Sequence, residues 1–350
     1  MSGGLDLEQR YRRVLRLLPR YYRDTWEEDM VAAFLDSWLT GDPDEDEAIG
    51  EFCRPTWPEV ASVAGLAARL YLGGAGAPPR YFAWGQAVRR AVLAVTLIHA
   101  VVSLDVFMRL AWERRSAGVP APPAGMAPIS PGGIMPPTGW YMADCAWIVV
   151  FVLLVLEHYR LARALAVLAI LPDLVWLLQG QFTGALPATS FGPWAFWVLL
   201  NLAPVLAMAA FYRDAPPIAR WPWLLALPAV YLLIYVPALV LQVTGNAAWL
   251  PDSSGLFCML VALACLAHAP RARSRQFASS GAWSLALTLL AAVAGAYRVA
   301  SFSDYLHDPH LIMVGLAELL ILVAAVALVA PDAARAQAAT PAPPRCPQLG

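Results

Sequence analysis

Polar side chains inside long apolar segments are the residues of this chain best suited to chemistry. Burying an ionisable group in lipid is costly, so such residues usually face the interior of a helix bundle and mark functional sites. Counted inward from the predicted outer helix ends at 1.5 Å per residue, four of them lie at about 9–12 Å and two arginines lie near the outer boundary. The sequence therefore predicts an outer polar layer of Asp105, Arg109, Asp173, Asn201, Arg298 and Glu318.

Two interpretations of this layer are open. In the first, Asp105, Asp173 and Glu318 line a cavity that opens to the outside, and Arg109 and Arg298 balance their charge. In the second, each acid is neutralised locally, as when Asp105 bridges Arg109 one turn along its own helix. Glu318 has no charged neighbour at helical spacing. We therefore predict that Glu318 or Asp173 pairs across helices with Arg109 or Arg298.

A second cluster, between the last two apolar segments, has side chains that suit a metal ion: Asp304, His307, Asp308 and His310. The competing interpretation is that Asp308 caps the last helix and Pro309 takes its first turn. The five cysteines show neither metal-type nor disulfide-type spacing. The chain also lacks a phosphate-binding glycine loop, an HExxH motif and a nucleophile elbow. We expect no cofactor and no catalytic residue.

Composition points to lipid as the solvent for much of the chain. Of the 350 residues 59% are hydrophobic and only 14% are charged, and the mean hydropathy is +0.57. A soluble domain carries about 25% charged residues. The formal net charge of −1 gives no field that would recruit nucleic acid. Every basic residue is Arg, which is typical of a high-GC bacterial genome.

The fold class predicted from these segments is all-α, with a polytopic membrane bundle behind a small three-helix domain. Each apolar segment approaches the length of about 20 residues that a membrane-spanning helix needs, and the total is about eight. The segment at 254–269 is the shortest. A long Pro- and Gly-rich connection over 112–139 is expected to lie outside. The predicted spans are 91–111, 140–157, 162–179, 193–211, 222–242, 254–269, 281–299 and 310–330.

Arginine placement predicts the orientation of the bundle. Cytosolic connections carry an excess of basic residues. In this chain the arginines occupy alternate connections, and the intervening ones carry few apart from Arg114 and Arg115. Both termini are therefore expected in the cytosol of a cell whose plasma membrane holds the protein. The arginines that support this orientation are Arg89, Arg90, Arg160, Arg163, Arg213, Arg220, Arg271, Arg273 and Arg275.

Residues 1–75 read as a cytosolic helical prefix domain. Apolar residues recur at helical spacing over 7–20, in a second stretch ending near Gly41, and in a third that begins near Pro58. Asp24 or Thr25 is expected to be the N-cap of the second helix, and Thr25 and Glu28 have the spacing of a capping box.

Three further segments are predicted to be irregular. The acidic stretch 41–51 is expected to be a solvated loop. Residues 76–90 form a hinge between the prefix and the first span. The Ala- and Pro-rich tail 331–350 is expected to be disordered.

The prefix resembles the small helical modules that precede membrane spans in many bacterial proteins, typified by the HAAS-type signalling domains linked to PadR regulators. The resemblance covers about residues 7–72 and is carried by Leu15, Leu18, Pro19, Arg23, Glu28, Asp29, Phe34 and Leu35. It implies a cytosolic interaction module without catalytic residues. A cytosolic protein partner is expected to bind a face that contains Tyr11, Arg16, Trp26 and Trp38.

Three functions follow, in order of support. The first is a non-enzymatic regulatory or signalling membrane protein that acts through its prefix. The alternative is a small permease that uses the outer polar layer. The third is a membrane-embedded enzyme for a lipid-linked substrate, for which Asp105, Asp144 and Asp173 are the only starting point.

Overall fold

The structure is a computed structural model that describes residues 3–39, 41–74, 77–115, 145–182, 188–212, 217–244, 253–273, 280–302 and 309–338. Regular structure within these ranges is helical, without strands. In chain order the helices are α1 (Gly3–Leu15), α2 (Arg20–Trp38), α3 (Pro43–Phe52), α4 (Trp57–Tyr71), α5 (Pro79–Arg115), α6 (Ala146–Val155), α7 (Tyr159–Phe182), α8 (Ala188–Ala207), α9 (Arg220–Val243), α10 (Ser253–Arg273), α11 (Ser280–Ser301) and α12 (Pro309–Ala338).

The described residues fall into two compact units, one up to Gly85 and one from Gln86 onward. We call them the N-terminal unit and the C-terminal unit. Each has hydrophobic clusters of its own.

The core of the N-terminal unit forms where α1, α2 and α4 meet. Leu7, Tyr11 and Leu15 recur every fourth residue, so they share one face of α1, and that face is buried. The Tyr11 ring stacks on Phe34 of α2 with centroids 3.9 Å apart and planes within 5°. Val63 of α4 completes the same cluster. The buried face of α1 thus forms the centre of the hydrophobic core of this unit.

The second helix begins earlier than the sequence predicts. Its N-cap is Pro19, and the helix runs from Arg20. Thr25 is therefore inside α2, where its hydroxyl donates to the Tyr21 carbonyl at 3.3 Å. Glu28 does not close a capping box but pairs with Arg12 of α1 at 2.8 Å. The predicted cap was wrong because the helix already begins at Arg20, which leaves Thr25 in its interior.

The acidic stretch predicted as a loop is mostly helical. Asp42 is the N-cap of α3, and its carboxylate accepts a hydrogen bond from the Asp44 backbone amide at 3.1 Å. Pro43 follows in the first turn, where its fixed φ suits a helix start. Acidic residues in a first turn also interact favourably with the helix dipole. The acids favour this helix start rather than marking a solvated loop.

The capping arrangement occurs instead at α4. The Thr56 backbone amide donates to Glu59 Oε2 at 2.5 Å, and Trp38 Nε1 donates to Glu59 Oε1 at 3.0 Å. Partial burial raises the pKa of Glu59, but these hydrogen bonds outweigh it, so the net pKa lies below the usual value. Glu59 therefore both starts α4 and ties it to the end of α2.

The predicted hinge over 76–90 is helical from Pro79 onward, because α5 runs without interruption to Arg115. Proline at a first-turn position favours such a start. The turn before α5 contains Gly73, whose φ of +81° lies in the left-handed region that favours glycine.

Among the described residues, four helices are long and apolar enough to cross a membrane, over Pro79–Met108, Arg220–Leu241, Gly281–Ser301 and His310–Ala338. Shorter apolar helices cover Ala146–Val155, Val198–Ala210 and Ser254–Pro270. These findings describe a helical membrane protein.

The C-terminal unit has two hydrophobic clusters. One joins α5 to α6, α7, α8 and α9 and is centred on Phe151, Leu154 and Phe211, all essentially buried. The other joins α10, α11 and α12, which all contact one another. Cys258 and Cys265 are buried small side chains of this second cluster.

The tail predicted as disordered is helical as far as Ala338. Pro331 lies inside α12, and Asp332 pairs with Arg335 at 3.1 Å one turn on. Alanine has the highest helix propensity, so a run rich in alanine continues the helix. Residues 339–350 lie outside the described ranges.

Candidate functional site

A buried ion pair lies where the last two helices meet. Arg298 Nη2 on α11 is 2.8 Å from Glu318 Oε2 on α12, and the two side chains are only 3% and 9% exposed. This is one of the cross-helix pairings that the sequence analysis predicts. Because each charge neutralises the other, neither is left alone in an apolar interior.

Two hydroxyl groups extend the ion pair to α10. Arg298 Nη1 donates to the Ser254 Oγ at 2.9 Å, and Ser254 Oγ lies 3.0 Å from Ser301 Oγ. The Ser301 hydroxyl donates to the Arg298 carbonyl at 2.8 Å. The Arg298 guanidinium also lies 5.7 Å from the centre of the Phe302 ring. We call Arg298, Glu318, Ser254 and Ser301 the polar clamp.

The polar clamp connects three helices near one end of their bundle. Ser254 is at the start of α10, and Ser301 is the last residue of α11. Glu318 lies about 14 Å along α12 from Pro309, at 1.5 Å per residue. Polar contacts that are satisfied within a helix interface specify how the helices pack. The clamp thus suits a structural role.

Two other members of the predicted layer lie on helices outside the polar clamp. Asn201 is buried in α8, and Asp105 is half-buried in α5. Both make contacts of their own. The side chains of Arg109 and Asp173 lie outside the described part, so the Asp105–Arg109 bridge and the shared cavity stay predictions.

The predicted metal cluster is only partly described. Asp304, His307 and Asp308 lie outside the described residues, and His310 is exposed at the start of α12. Within the ranges that the structure covers, no three His, Cys, Asp or Glu side chains are grouped so as to hold a metal ion.

The predicted partner-binding face of the prefix divides into two parts. Tyr11 and Trp38 pack inside the N-terminal unit, through the Phe34 stack and the bond to Glu59. Trp26 is 48% exposed, and Arg16 is also exposed. Trp26 and Arg16 are the two exposed side chains of the four, Trp38 is partly buried and Tyr11 is buried.

Sequence reasoning missed the two serines and the glycine that accommodates the arginine. Serine is common at helix ends, so Ser254 and Ser301 carry no distinctive signal. Gly315 lies one turn before Glu318, where a Cβ atom would be 2.9 Å from both Arg298 Nε and Nη2 and would also meet the Phe302 ring. A glycine three residues before a lone acid in an apolar helix is a sequence signal that another side chain packs closely against the helix at that point.

Replacing Gly315 by Ala is expected to destabilise the C-terminal unit by about 1–3 kcal/mol, the usual range for overpacking. The added methyl group must displace Arg298, which Glu318 and Ser254 hold in place. The midpoint of thermal unfolding of the detergent-purified protein measures the effect.

Gly295 of α11 is the matched control, because a Cβ atom there would lie 3.8 Å from Leu319 and Leu322, in ordinary contact. Gly295→Ala should be neutral or stabilising by up to about 1 kcal/mol, since alanine favours the helix. Equal midpoints for the two variants would contradict the assigned role of Gly315.

No family model, curated protein or solved structure matches the chain.

Proposed function

We propose that this chain is a non-enzymatic membrane protein of about eight spans, with both termini in the cytosol of a bacterial cell. Its N-terminal unit binds a cytosolic protein, and its C-terminal unit anchors that unit in the membrane. The role is regulatory or signalling, as the likeness to HAAS-type prefixes implies.

The orientation is supported by basic residues that gather at one end of the C-terminal unit. Arg163 donates to the Met208 carbonyl at 2.8 Å. Arg220 pairs with Glu157 at 3.1 Å, which brings the α6–α7 and α8–α9 connections together. The Arg89 guanidinium lies 5.7 Å from the centre of the Tyr212 ring, near the same connections. Clustered arginines at one end are typical of the cytosolic face.

The binding role is supported above all by two exposed aromatic side chains at the α3–α4 connection. Phe52 is 76% exposed and Trp57 is 85% exposed. Single exposed hydrophobic residues are common, but aromatic residues are enriched at the centres of protein interfaces. We name Phe52 and Trp57 the aromatic corner and assign it to the partner.

A photoreactive amino acid at position 57 of the full-length protein tests the binding role in cells. A discrete adduct with a soluble protein is expected, because Trp57 projects from the unit. Trp57→Ala should weaken the captured complex by about 2 kcal/mol, the threshold of an interface hot spot. Asp24, exposed on α2, is the control position.

Two outcomes count against the proposal. An adduct with twice the mass of the chain means that a second copy covers the corner. Equal adducts at positions 57 and 24 mean that the corner has no specific partner.

Reporter fusions test the orientation. Fusions ending after residue 185 and after residue 248 are expected outside, and fusions after residue 215 and after residue 350 inside. The reporter is a fluorescent protein that fluoresces only when it folds in the cytosol. A fluorescent signal from the first pair of fusions would therefore overturn the proposed topology.

A permease is less well supported than this function. Arg298 and Glu318 bind each other and the serines of neighbouring helices. Their contacts favour fixed packing over a path for a substrate.

A further inference from the structure

A pocket of about 420 Å³ opens on the N-terminal unit. It lies between α1 and the start of α4. Three of its lining residues are arginines and the other three are apolar, with no acid among the six. They are Arg10, Arg13, Val14, Arg54, Pro55 and Val60.

The spacing on α1 directs two arginines to this pocket and a third away from it. Arg10 and Arg13 are three residues apart, so they share a face. Arg12 lies on another side, where it pairs with Glu8 and Glu28 at 2.8 Å each. The carboxylates of Glu8 and Glu28 are therefore engaged by Arg12.

The neighbouring carboxylate on α4 is engaged as well. Glu59 precedes Val60 of the pocket, but its two oxygens accept from Thr56 and Trp38. Arg10 donates to the Cys53 carbonyl at 2.6 Å, which fixes one wall. For Arg13 and Arg54 no ion pair with a carboxylate occurs in the part of the chain that the structure covers. The six lining residues thus bring three positive charges and no acid to the pocket.

We propose that this pocket binds a phosphate monoester. Guanidinium groups match phosphate oxygens with paired hydrogen bonds, and a cluster of them favours a dianion. Val14, Pro55 and Val60 offer an apolar surface for the group that carries the phosphate. The volume lies in the range of about 300–1,000 Å³ that small-ligand sites occupy. A soluble nucleotide and the headgroup of a phosphatidic acid both supply this chemistry, and the site does not depend on the proposed protein partner.

Phenylglyoxal modification of the full-length protein in neutral detergent tests the proposal. Adenosine monophosphate is expected to slow the modification of Arg13 and Arg54 several-fold, whereas adenosine, which lacks the phosphate, leaves both rates unchanged. Arg20 is exposed at the start of α2 and does not line the pocket, so its rate is the internal control.

The lipid source is examined in nanodiscs. Protection of Arg13 and Arg54 by phosphatidic acid in phosphatidylcholine, without protection by adenosine monophosphate, assigns the site to a lipid headgroup. Protection by both probes assigns it to the phosphate alone. Either result supports the phosphate monoester.

Variants complete the test. Arg13→Gln/Arg54→Gln should weaken binding of the protecting probe at least about tenfold, since charged hydrogen bonds are lost. Arg20→Gln, which also removes one positive charge from the N-terminal unit, should not weaken binding. The proposal is overturned if neither probe protects the wild-type arginines, or if the double variant binds as tightly as the wild type.

Discussion

Replacing Arg298 by Met is expected to lower the free energy of unfolding of the C-terminal unit by about 3–5 kcal/mol. The substitution leaves the Glu318 carboxylate in an interface where its side chain is only 9% exposed. It also removes the donor to Ser254, so α10 loses one of its polar links to α11, while the Ser254–Ser301 contact stays. Unfolding of the purified protein in mixed SDS micelles, followed by tryptophan fluorescence, measures this loss.

The double variant Arg298→Met/Glu318→Leu distinguishes the effect of losing the whole ion pair from the effect of leaving one charge buried alone. Replacing a whole buried ion pair by apolar side chains is often neutral or stabilising. We therefore expect the double variant to be more stable than Arg298→Met alone. If the two substitutions add without coupling, the buried pair is not the source of the loss.

An exposed pair in the same unit is the control. Arg220 and Glu157 lie 3.1 Å apart, but their side chains are 54% and 28% exposed. Water solvates each partner when the other is removed, so Arg220→Met should cost only about 0–1 kcal/mol. A loss as large as that of Arg298→Met would mean that the assay responds to arginine itself rather than to burial.

The positions of the apolar helices could be predicted from the sequence, because length and hydropathy are local properties. The stretch 281–299 lies within α11, and the stretch 310–330 lies within α12. The local prediction that was wrong is the loop over the acidic stretch 41–51, which is mostly helical. Asp42 and Pro43 form an N-cap and a first turn, yet the density of charge that follows them also suits a loop.

Partners across helices could be predicted only in part. An acid alone in an apolar helix requires a counter-charge, so the sequence indicates that Glu318 pairs with a cation on another helix. Which cation meets it depends on how two helices pack, and Ser254, 44 residues before Arg298, has no local signature at all. The two tryptophans of α2 also show that contacts between helices cannot be predicted from the local sequence. Trp26 and Trp38 both lie on α2, but only Trp38 has Glu59 of α4 to bind, and Trp26 stays exposed.

Replacing Gly85 by Ala is expected to destabilise the N-terminal unit by about 3 kcal/mol, at the upper end for overpacking. A Cβ atom at Gly85 would overlap the Leu72 carbonyl oxygen and lie 2.5 Å from its carbon. Both atoms belong to the backbone at the end of α4, so no side-chain rotation relieves the contact. Hydrogen exchange of the full-length protein, read on peptides that cover 57–72, measures the opening of α4.

Gly65 supplies the comparison within the same unit. It lies inside α4, and a Cβ atom there would meet nothing within 4 Å. Gly65→Ala should slow exchange, by up to about 1 kcal/mol of helix propensity. Opposite signs for the two alanines would show that contact with the backbone, rather than the flexibility of glycine, accounts for Gly85. If both variants exchange more slowly, α5 does not pack on the end of α4 as closely as the Gly85–Leu72 contact requires.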